Sequence, residues 1–206
     1  MYRAGTFDTA KLHQIKLLGF NRVSLGVQSF DDTVLSNIGR VHNAQDVFNS
    51  VQMIRDEGIT NFSIDLISGL PGMTLAGWAT TLELAANLHP SHMSVYDLQI
   101  EEGTTFGKWY KSAGERDDED GDDIRGVSKL SYASSDAAPL PTPAESAFMY
   151  KYASGYLRAR EYNHYEISSY AATSNDAGDK KLNRSKHNSI YWEPNSNWLG
   201  ETLKII

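Results

Sequence analysis

The first hundred residues alternate between helical and strand-like patterns, and this alternation restricts the fold more than any other feature of the chain. The helical patterns cover residues 9–18, 43–57 and 75–88, and the strand-like runs cover residues 22–28, 61–67 and 93–98. Gly19 and Gly58 stand where the first two helices are expected to end. A helix followed by a strand, repeated three times, favours parallel strands with helices packed outside them. The predicted fold class is therefore α/β.

The alternation stops near residue 110. Residues 112–142 contain an acidic run, a stretch rich in serine and alanine, and two prolines, with a third at position 143, so they are predicted to form a flexible insertion. Thr142, Pro143 and Glu145 then match a capping box, which predicts a helix to about residue 160. Its inner face is predicted to carry Phe148, Tyr152 and Tyr156. We divide the chain into a barrel core, an insertion and a C-terminal region, at residues 1–109, 110–142 and 143–206.

Length and composition limit the possible classes of protein. The 206 residues, 40% of them hydrophobic, suffice for one domain with a sizeable core but fall short of the roughly 250 residues of a full (β/α) barrel. The absence of cysteine excludes disulfides, thiolate zinc sites, cysteine nucleophiles and cysteine-ligated iron–sulfur clusters. Residues 115–125 contribute −5 to the net charge of −7, and the remainder has no basic stripe, so no nucleic-acid partner is predicted. No apolar run reaches the length of a membrane span.

Polar side chains lie at or just after the predicted strand ends. Gln28 and Asp65 belong to the first two strands, Arg40 follows the first strand and Gln99 follows the third. In parallel α/β barrels the carboxyl ends of the strands meet at one mouth, where the chemistry is placed. Arginine binds carboxylates through a fork of two hydrogen bonds, and aspartate accepts from hydroxyl or ammonium groups. The four residues therefore fit one binding surface, although each alone also fits a strand-end group that bonds nearby backbone.

Five blocks of the sequence resemble the radical S-adenosylmethionine (SAM) proteins related to oxygen-independent coproporphyrinogen III oxidase. The blocks are Gly-Val-Gln-Ser-Phe at 26–30, Asp-Leu-Ile-Ser-Gly-Leu-Pro-Gly at 65–72, Glu-Gly-Thr at 102–104, His-Tyr-Glu-Ile-Ser at 164–168 and His-Asn-Ser-Ile-Tyr-Trp at 187–192. The resemblance implies a partial TIM-like (β/α) radical-SAM barrel with a helical C-terminal region. It also implies that Gln28, Arg40 and Asp65 contact SAM, and it aligns Gln99 with a further SAM-contacting position where the family has another residue type.

Two of the motifs narrow the resemblance to HemW-like heme chaperones. The Gly-Arg-x-His sequence at 39–42 and the block at 187–192 are similar to these chaperones rather than to the oxidase. For a full-length member, the resemblance implies binding of SAM, a [4Fe-4S] cluster and heme, and heme delivery to respiratory proteins. His164 and His187 are candidate axial heme ligands, although a packed, hydrogen-bonded role fits them as well. Coproporphyrinogen III oxidation is an alternative function, and a cluster-less module that binds a partner through the acidic insertion is another.

The CxxxCxxC loop that binds the cluster in this family has no counterpart in the chain, and in the alignment it would precede Met1. The resemblance therefore predicts a middle piece of a longer protein. Homolytic cleavage of SAM needs an electron from the cluster, so this chain alone is not expected to form a 5′-deoxyadenosyl radical. An incomplete barrel is expected to expose a sheet edge and an apolar inner face, and thus to be marginally stable or aggregation-prone. The family occurs in bacterial cytoplasm and in mitochondria, which implies one of these two compartments.

Overall fold

The computed structural model describes residues 2–112, 130–132, 137–176 and 179–190. The first half of this chain consists of β1 (Tyr2–Arg3), α1 (Thr9–Leu17), β2 (Val23–Gln28), α2 (Asp32–Asn37), α3 (Ala44–Asp56), β3 (Phe62–Ser68), α4 (Leu75–Asn87) and β4 (His92–Asp97). The second half consists of α5 (Thr105–Trp109), β5 (Tyr110–Ser112), β6 (Leu130–Tyr132), α6 (Pro143–Arg158), β7 (Tyr162–Glu166), β8 (Ser169–Asp176), β9 (Asp179–Leu182) and α7 (Lys186–Ile190).

One seven-stranded sheet organises the described residues, in the order β1-β2-β3-β4-β8-β7 with β9 paired to β8. The strands β1 to β4 are parallel neighbours in chain order, as expected when each connection between them passes over the sheet as a helix. The strands β8, β7 and β9 join antiparallel to this set, with β8 against β4. The predicted α/β class and partial barrel are therefore confirmed, and the C-terminal region contributes strands to the same sheet.

Local sequence signals explain where the main helices begin. The side chain of Asn43 accepts a hydrogen bond from the backbone of Asp46 at 3.0 Å, and the carboxylate of Asp46 accepts one from the backbone of Asn43 at 3.0 Å. Thr142 and Glu145 form the same reciprocal capping box at the start of α6. Such a box pairs backbone N–H groups that would otherwise have no partner in the first helical turn.

The core lies between the helices and one face of the parallel strands. Val23, Leu25, Ile64 and Met93 point from the strands into this core and are buried. Trp78 of α4 is only 1% exposed, and its indole N–H donates to the carbonyl oxygen of Met149 in α6 at 2.9 Å. This bond attaches the C-terminal region to the helical layer of the barrel.

Helix α6 packs through a different face from the one predicted. Its buried residues are Met149, Ala153 and Leu157, whereas Phe148 is 52% exposed, so the prediction that Phe148 faces inward was wrong. Tyr152 and Tyr156 are half-buried and pack at the margin of the core. The aromatic residues and the small or aliphatic ones repeat with the same helical spacing. The size of the aromatic side chains was therefore a poor guide to which of the two faces is buried.

The predicted insertion is described only at its two ends. Tyr110–Ser112 and Leu130–Tyr132 pair as a small antiparallel sheet, and the hydroxyl of Tyr110 donates to the carbonyl oxygen of Ala138 at 2.6 Å. The acidic run lies within residues 113–129, outside the described residues, as do residues 133–136. Among the helices of the described part, none has the length and hydrophobicity that crossing a membrane requires.

Candidate functional site

The strands β2, β3 and β4 are apolar on the face that meets the helices and polar on the opposite, inner face. The register pairs Gly26 with Asp65 and Asp65 with Ser94, so these positions share the inner face. The inner face carries Arg22, Ser24, Ser63, Asp65, His92 and Ser94. The expectation of an apolar inner face was therefore wrong for this part of the sheet, because polar residues cover it and the apolar Ile67 follows only near the carboxyl end of β3.

Asp65 lines a cavity of about 340 Å³, which we call the inner pocket and which is also lined, among others, by Arg22, Ser24, His92, Ser94 and Asn188. Asp65 is only 5% exposed, and its carboxylate accepts a hydrogen bond from the hydroxyl of Ser24 at 2.7 Å. Burial raises the pKa of Asp65, while the hydrogen bonds from Ser24 and Ser94 and the positive charge of Arg22 act in the opposite direction. The pocket thus holds a poorly solvated carboxyl group.

A series of hydrogen-bonded polar side chains lies beside the inner pocket. One ring nitrogen of His92 lies 3.0 Å from the hydroxyl of Ser63, and the other lies 2.9 Å from the hydroxyl of Tyr165. Burial, followed by the positive charge of Arg22, lowers the pKa of His92 to about 3, so the ring is neutral near pH 7. The Tyr165 hydroxyl also accepts a hydrogen bond from the backbone of Ser185 at 3.0 Å. The segment before α7 is thereby fixed over the pocket.

A second cavity, of about 280 Å³, opens at the carboxyl ends of the parallel strands. We call it the mouth recess; it is lined among others by Arg40, His42, Ile67, Leu70, Leu98 and Phe106. Ile67 follows Asp65 by two residues on the same face of β3, which places it about 6.5 Å further along the strand. The mouth recess and the inner pocket therefore lie one after the other along the inner face of the sheet.

The predicted site residues fall into two groups. Asp65 lines the inner pocket and Arg40 lines the mouth recess, so the structure brings these two to adjacent cavities. Gln28 and Gln99 line neither cavity. Gln28 is buried with a φ of 64° at a register shift of β2, and in the amide orientation that satisfies its polar atoms the nitrogen donates to the carbonyl oxygens of Gly26 and Val27 at 3.1 and 3.2 Å. Gln99 is exposed in the loop after β4. A role of either residue in binding stays a prediction.

Several residues of the inner pocket were not predicted from the sequence, namely Arg22, Ser24, His92 and Ser94, and neither was Tyr165, which contacts His92. A usable signal was present, because the strands contain Arg22-x-Ser24, Ser63-x-Asp65 and His92-x-Ser94. Polar residues at alternate positions of three neighbouring parallel strands indicate a polar face. Tyr165 gave no such signal, since its position depends on how β7 and β8 pack against β4.

The two candidate heme ligands differ in what the structure shows. His164 is stacked on Tyr170, with 4.2 Å between ring centroids, and its ring nitrogens lie 3.2 Å from the hydroxyl of Ser154 and 3.1 Å from the carbonyl oxygen of Ile167. Both nitrogens are thus engaged, which fits the packed, hydrogen-bonded role, and iron binding by His164 stays a prediction. His187 belongs to α7, but its side chain lies outside the described residues.

Comparison with known proteins shows which proteins this chain is similar to. The family model of the radical SAM superfamily matches residues 3–85. The chain is 38% identical to the heme chaperone HemW of Synechocystis over 188 residues, which are 91% of this chain and 38% of that protein. It is 33% identical to the heme chaperone HemW of Bacillus subtilis over 190 residues, 92% of this chain and 42% of that protein. The chain thus spans about two fifths of the length of these relatives.

A solved structure supports the fold independently. Coproporphyrinogen III oxidase (HemN) from Escherichia coli, described as a radical SAM enzyme, superposes with a TM-score of 0.62 over 82% of this chain and 34% of its own, at 23% identity. Identity at that level bears on the fold and not on the reaction. Together with the family match and the two relatives, it confirms the resemblance read from the five sequence blocks: residues 3–85 match the radical SAM superfamily, and the chain is similar to HemW heme chaperones over about nine tenths of its length.

Proposed function

We propose that this chain is the SAM-binding part of a HemW-like heme chaperone. The relatives named above are heme chaperones. Because the chain covers only part of their length, we assign their activity to the whole protein as a proposal. The observation that carries it is the alignment of two cavities on one sheet face, with the Asp65 carboxyl group in the first and Arg40 in the second. We place the protein in the cytoplasm, or in mitochondria if the source is a eukaryote.

The chemistry of the two cavities fits SAM. Arg40 supplies a guanidinium group for the carboxylate of the methionyl part, and Asp65 supplies a buried acceptor for the ribose hydroxyls. Gly26 stands opposite Asp65 on the same face and has no side chain, which keeps the surface beside the carboxyl group open. Gln28 and Gln99 complete the proposed set, with smaller contributions than Arg40 and Asp65 because neither lines a cavity.

SAM binding is tested by titrating the purified chain with SAM in a calorimeter. We expect Asp65→Asn and Arg40→Gln each to weaken binding at least tenfold, because each removes a charge-assisted contact. Asp56→Asn and Arg160→Gln change the same residue types at exposed helix ends and should bind as the unmodified chain does. Absence of SAM binding by the unmodified chain, or equal binding by all four variants, would contradict the proposal.

The residues of this chain do not fit the iron–sulfur cluster that the superfamily uses. The sequence contains no cysteine, and cysteine thiolates are the ligands of such clusters. We therefore expect the chain, after anaerobic incubation with iron, sulfide and dithionite, to yield no 5′-deoxyadenosine from SAM. Formation of that product would contradict the expectation.

Heme is the proposed cargo, and His187 is the preferred candidate for its axial ligand because both nitrogens of His164 are engaged. Titration of the chain with heme, followed by absorbance, should show a shifted Soret band that is lost in His187→Ala and retained in His164→Gln. Loss of the band in both variants to the same extent, or in neither, would contradict this assignment. An unshifted band in the unmodified chain would contradict heme binding itself.

A further inference from the structure

His42 is a buried histidine with one ring nitrogen that has no partner. The residue is 4% exposed, and its Nε2 lies 3.2 Å from the carbonyl oxygen of Val27 in β2. Among the described residues, no group forms a hydrogen bond with its Nδ1, and this atom is buried. Buried polar atoms in native proteins are almost always paired, and leaving one unpaired costs about 1–3 kcal/mol. The unpaired nitrogen therefore requires an explanation.

The tautomer of the neutral ring follows from its one hydrogen bond. A backbone carbonyl oxygen only accepts, so Nε2 must carry the hydrogen that is donated to Val27. In the neutral ring, Nδ1 then has a lone pair and can only accept. Because the two ring nitrogens point away from each other, this lone pair is directed away from β2. The lone pair can accept a hydrogen bond from a hydroxyl or an amino group.

The position of His42 indicates where that hydrogen comes from. His42 and Arg40 are two residues apart, and both line the mouth recess together with apolar side chains from β3 and from the loop after β4. Hydrogen bonds formed in such a shielded setting are stronger than those formed in water. A ligand whose carboxylate is bound by Arg40 would share the mouth recess with His42.

We propose that His42 is a specificity-determining residue of the SAM site, whose Nδ1 accepts a hydrogen bond from a hydroxyl or amino group of the ligand that occupies the mouth recess. This inference rests on the proposed binding of SAM and adds a contact to it. His42 selects for ligands that present a donor beside the group bound by Arg40, and it penalises analogues that lack the donor, because Nδ1 then stays unpaired.

Two substitutions separate the effect of the Nδ1 lone pair from the effect of the hydrogen bond to Val27 in β2. His42→Gln places an amide N–H near the position of Nε2, so it keeps the donor to Val27 and removes the acceptor. His42→Asn places an amide oxygen near the position of Nδ1, so it keeps the acceptor and removes the donor to Val27. In calorimetric titration with SAM, we expect His42→Gln to lose about tenfold in affinity and His42→Asn to lose less.

The outcomes distinguish this inference from the proposed function. If the unmodified chain does not bind SAM, the proposed function is overturned. If the unmodified chain binds and His42→Gln binds equally well, only the inference on His42 is overturned. A larger loss in His42→Asn than in His42→Gln also overturns it, because the bond to β2 would then matter and the lone pair would not.

The source of the donor is found with fragments of the ligand. Titration with methionine tests the amino group, and titration with adenosine tests the ribose hydroxyls and the adenine amino group. The fragment for which His42→Gln loses affinity contains the donor. If neither fragment nor SAM itself distinguishes His42→Gln from the unmodified chain, the inference is wrong.

A spectroscopic measurement on the unmodified chain makes the inference independent of the variants. With ¹⁵N-labelled histidine, the Nδ1 resonance of His42 is expected to move upfield when SAM is added, as an acceptor nitrogen does when it gains a hydrogen bond. An unchanged Nδ1 resonance at saturating SAM would overturn the inference, even if His42→Gln failed to fold.

Discussion

Asp65 combines a proposed binding role with a cost to stability. Burial raises its pKa in the folded chain, so the carboxyl group prefers its protonated form there more than in the unfolded chain. The stability that this preference contributes is complete below the unfolded-state pKa and is lost as the pH rises through the folded-state pKa. At neutral pH the charged group therefore destabilises the fold.

This reasoning predicts opposite effects of Asp65→Asn on stability and on binding. The amide oxygen still accepts from the Ser24 hydroxyl but carries no charge, so Tm at pH 7 should rise by a few degrees, the amount that roughly 1 kcal/mol produces in a chain of this size. SAM affinity should fall in the same variant. Thermal unfolding followed by circular dichroism, with Asp56→Asn as the exposed control, measures the first effect. A lower Tm for Asp65→Asn would show that the charge is structural.

His92 is predicted to make the chain sensitive to acid. Its pKa is lowered from 6.5 to about 3 in the folded chain, so below pH 6.5 the unfolded chain binds a proton that the folded chain does not. Stability should fall as the pH decreases from about 6.5 towards 3, by up to about 1.4 kcal/mol per pH unit. His92→Gln removes this proton, and its Tm should decrease less between pH 6.5 and 4.5.

The exposed residue His89 provides a matched control for that experiment. His89→Gln should retain the steep dependence of Tm on pH that the unmodified chain shows. Parallel curves for His92→Gln and the unmodified chain would mean that another group causes the loss of stability in acid.

At the scale of elements, helices and strands that local sequence signals specify were predictable, whereas those that depend on tertiary contacts were not. The three helix–strand pairs were predictable because apolar spacing and capping residues such as Asn43 with Asp46 are written in short stretches of sequence. The short helix α2 was missed, since six residues hold less than two turns of periodic pattern. The strands β7 and β8 were missed because they exist through pairing with each other and with β4, a contact between residues far apart in the chain.

The residues of the candidate site also differ in how far the sequence predicts their placement. Arg40 was predicted to lie at the mouth of the strands and lines the mouth recess, whereas Asp65 lies in the middle of β3 and lines the inner pocket instead. The placement of Gln28 could not be predicted, because a register shift in β2 turns its side chain towards its own backbone. A shift of one residue reverses the face that a strand side chain occupies.

The segment before α7 should depend on a single hydroxyl. Tyr165 connects His92 on β4 with the backbone N–H of Ser185, so Tyr165→Phe removes both bonds and leaves a buried histidine nitrogen without a partner. We expect faster hydrogen exchange at residues 185–189 and a loss of about 1–3 kcal/mol in stability. Tyr150→Phe removes a hydroxyl that donates to Ile167 at an exposed position, and it should change neither quantity. Unchanged exchange at residues 185–189 in Tyr165→Phe would contradict this role.

At the scale of the whole molecule, one apolar patch stands out on the surface of the described residues. Leu17, Leu18 and Phe20 follow each other at the end of α1 with exposures of 74%, 76% and 61%. Contiguous exposed apolar groups favour association of copies. We expect Leu18→Glu to lower the average mass measured by light scattering at high protein concentration, without a lower Tm.

Gln14→Glu is the control for that prediction, because it adds a charge to the same helix without removing apolar surface. It should leave the average mass of the unmodified chain unchanged. If both variants reduce the mass equally, net charge rather than the apolar patch governs association.

The pairing of β8 with β4, and the bond from Trp78 to Met149, join the C-terminal region to the barrel without using the residues between them. We therefore expect the two regions to hold together without the covalent connection through the acidic run. Residues 1–112 and 137–206, produced as two separate polypeptides, should associate and complete the sheet by complementation. Changes in the sequence or length of the acidic segment should therefore alter the stability of the fold little, because pairing within the shared sheet, and not the peptide chain, sets where the two regions meet.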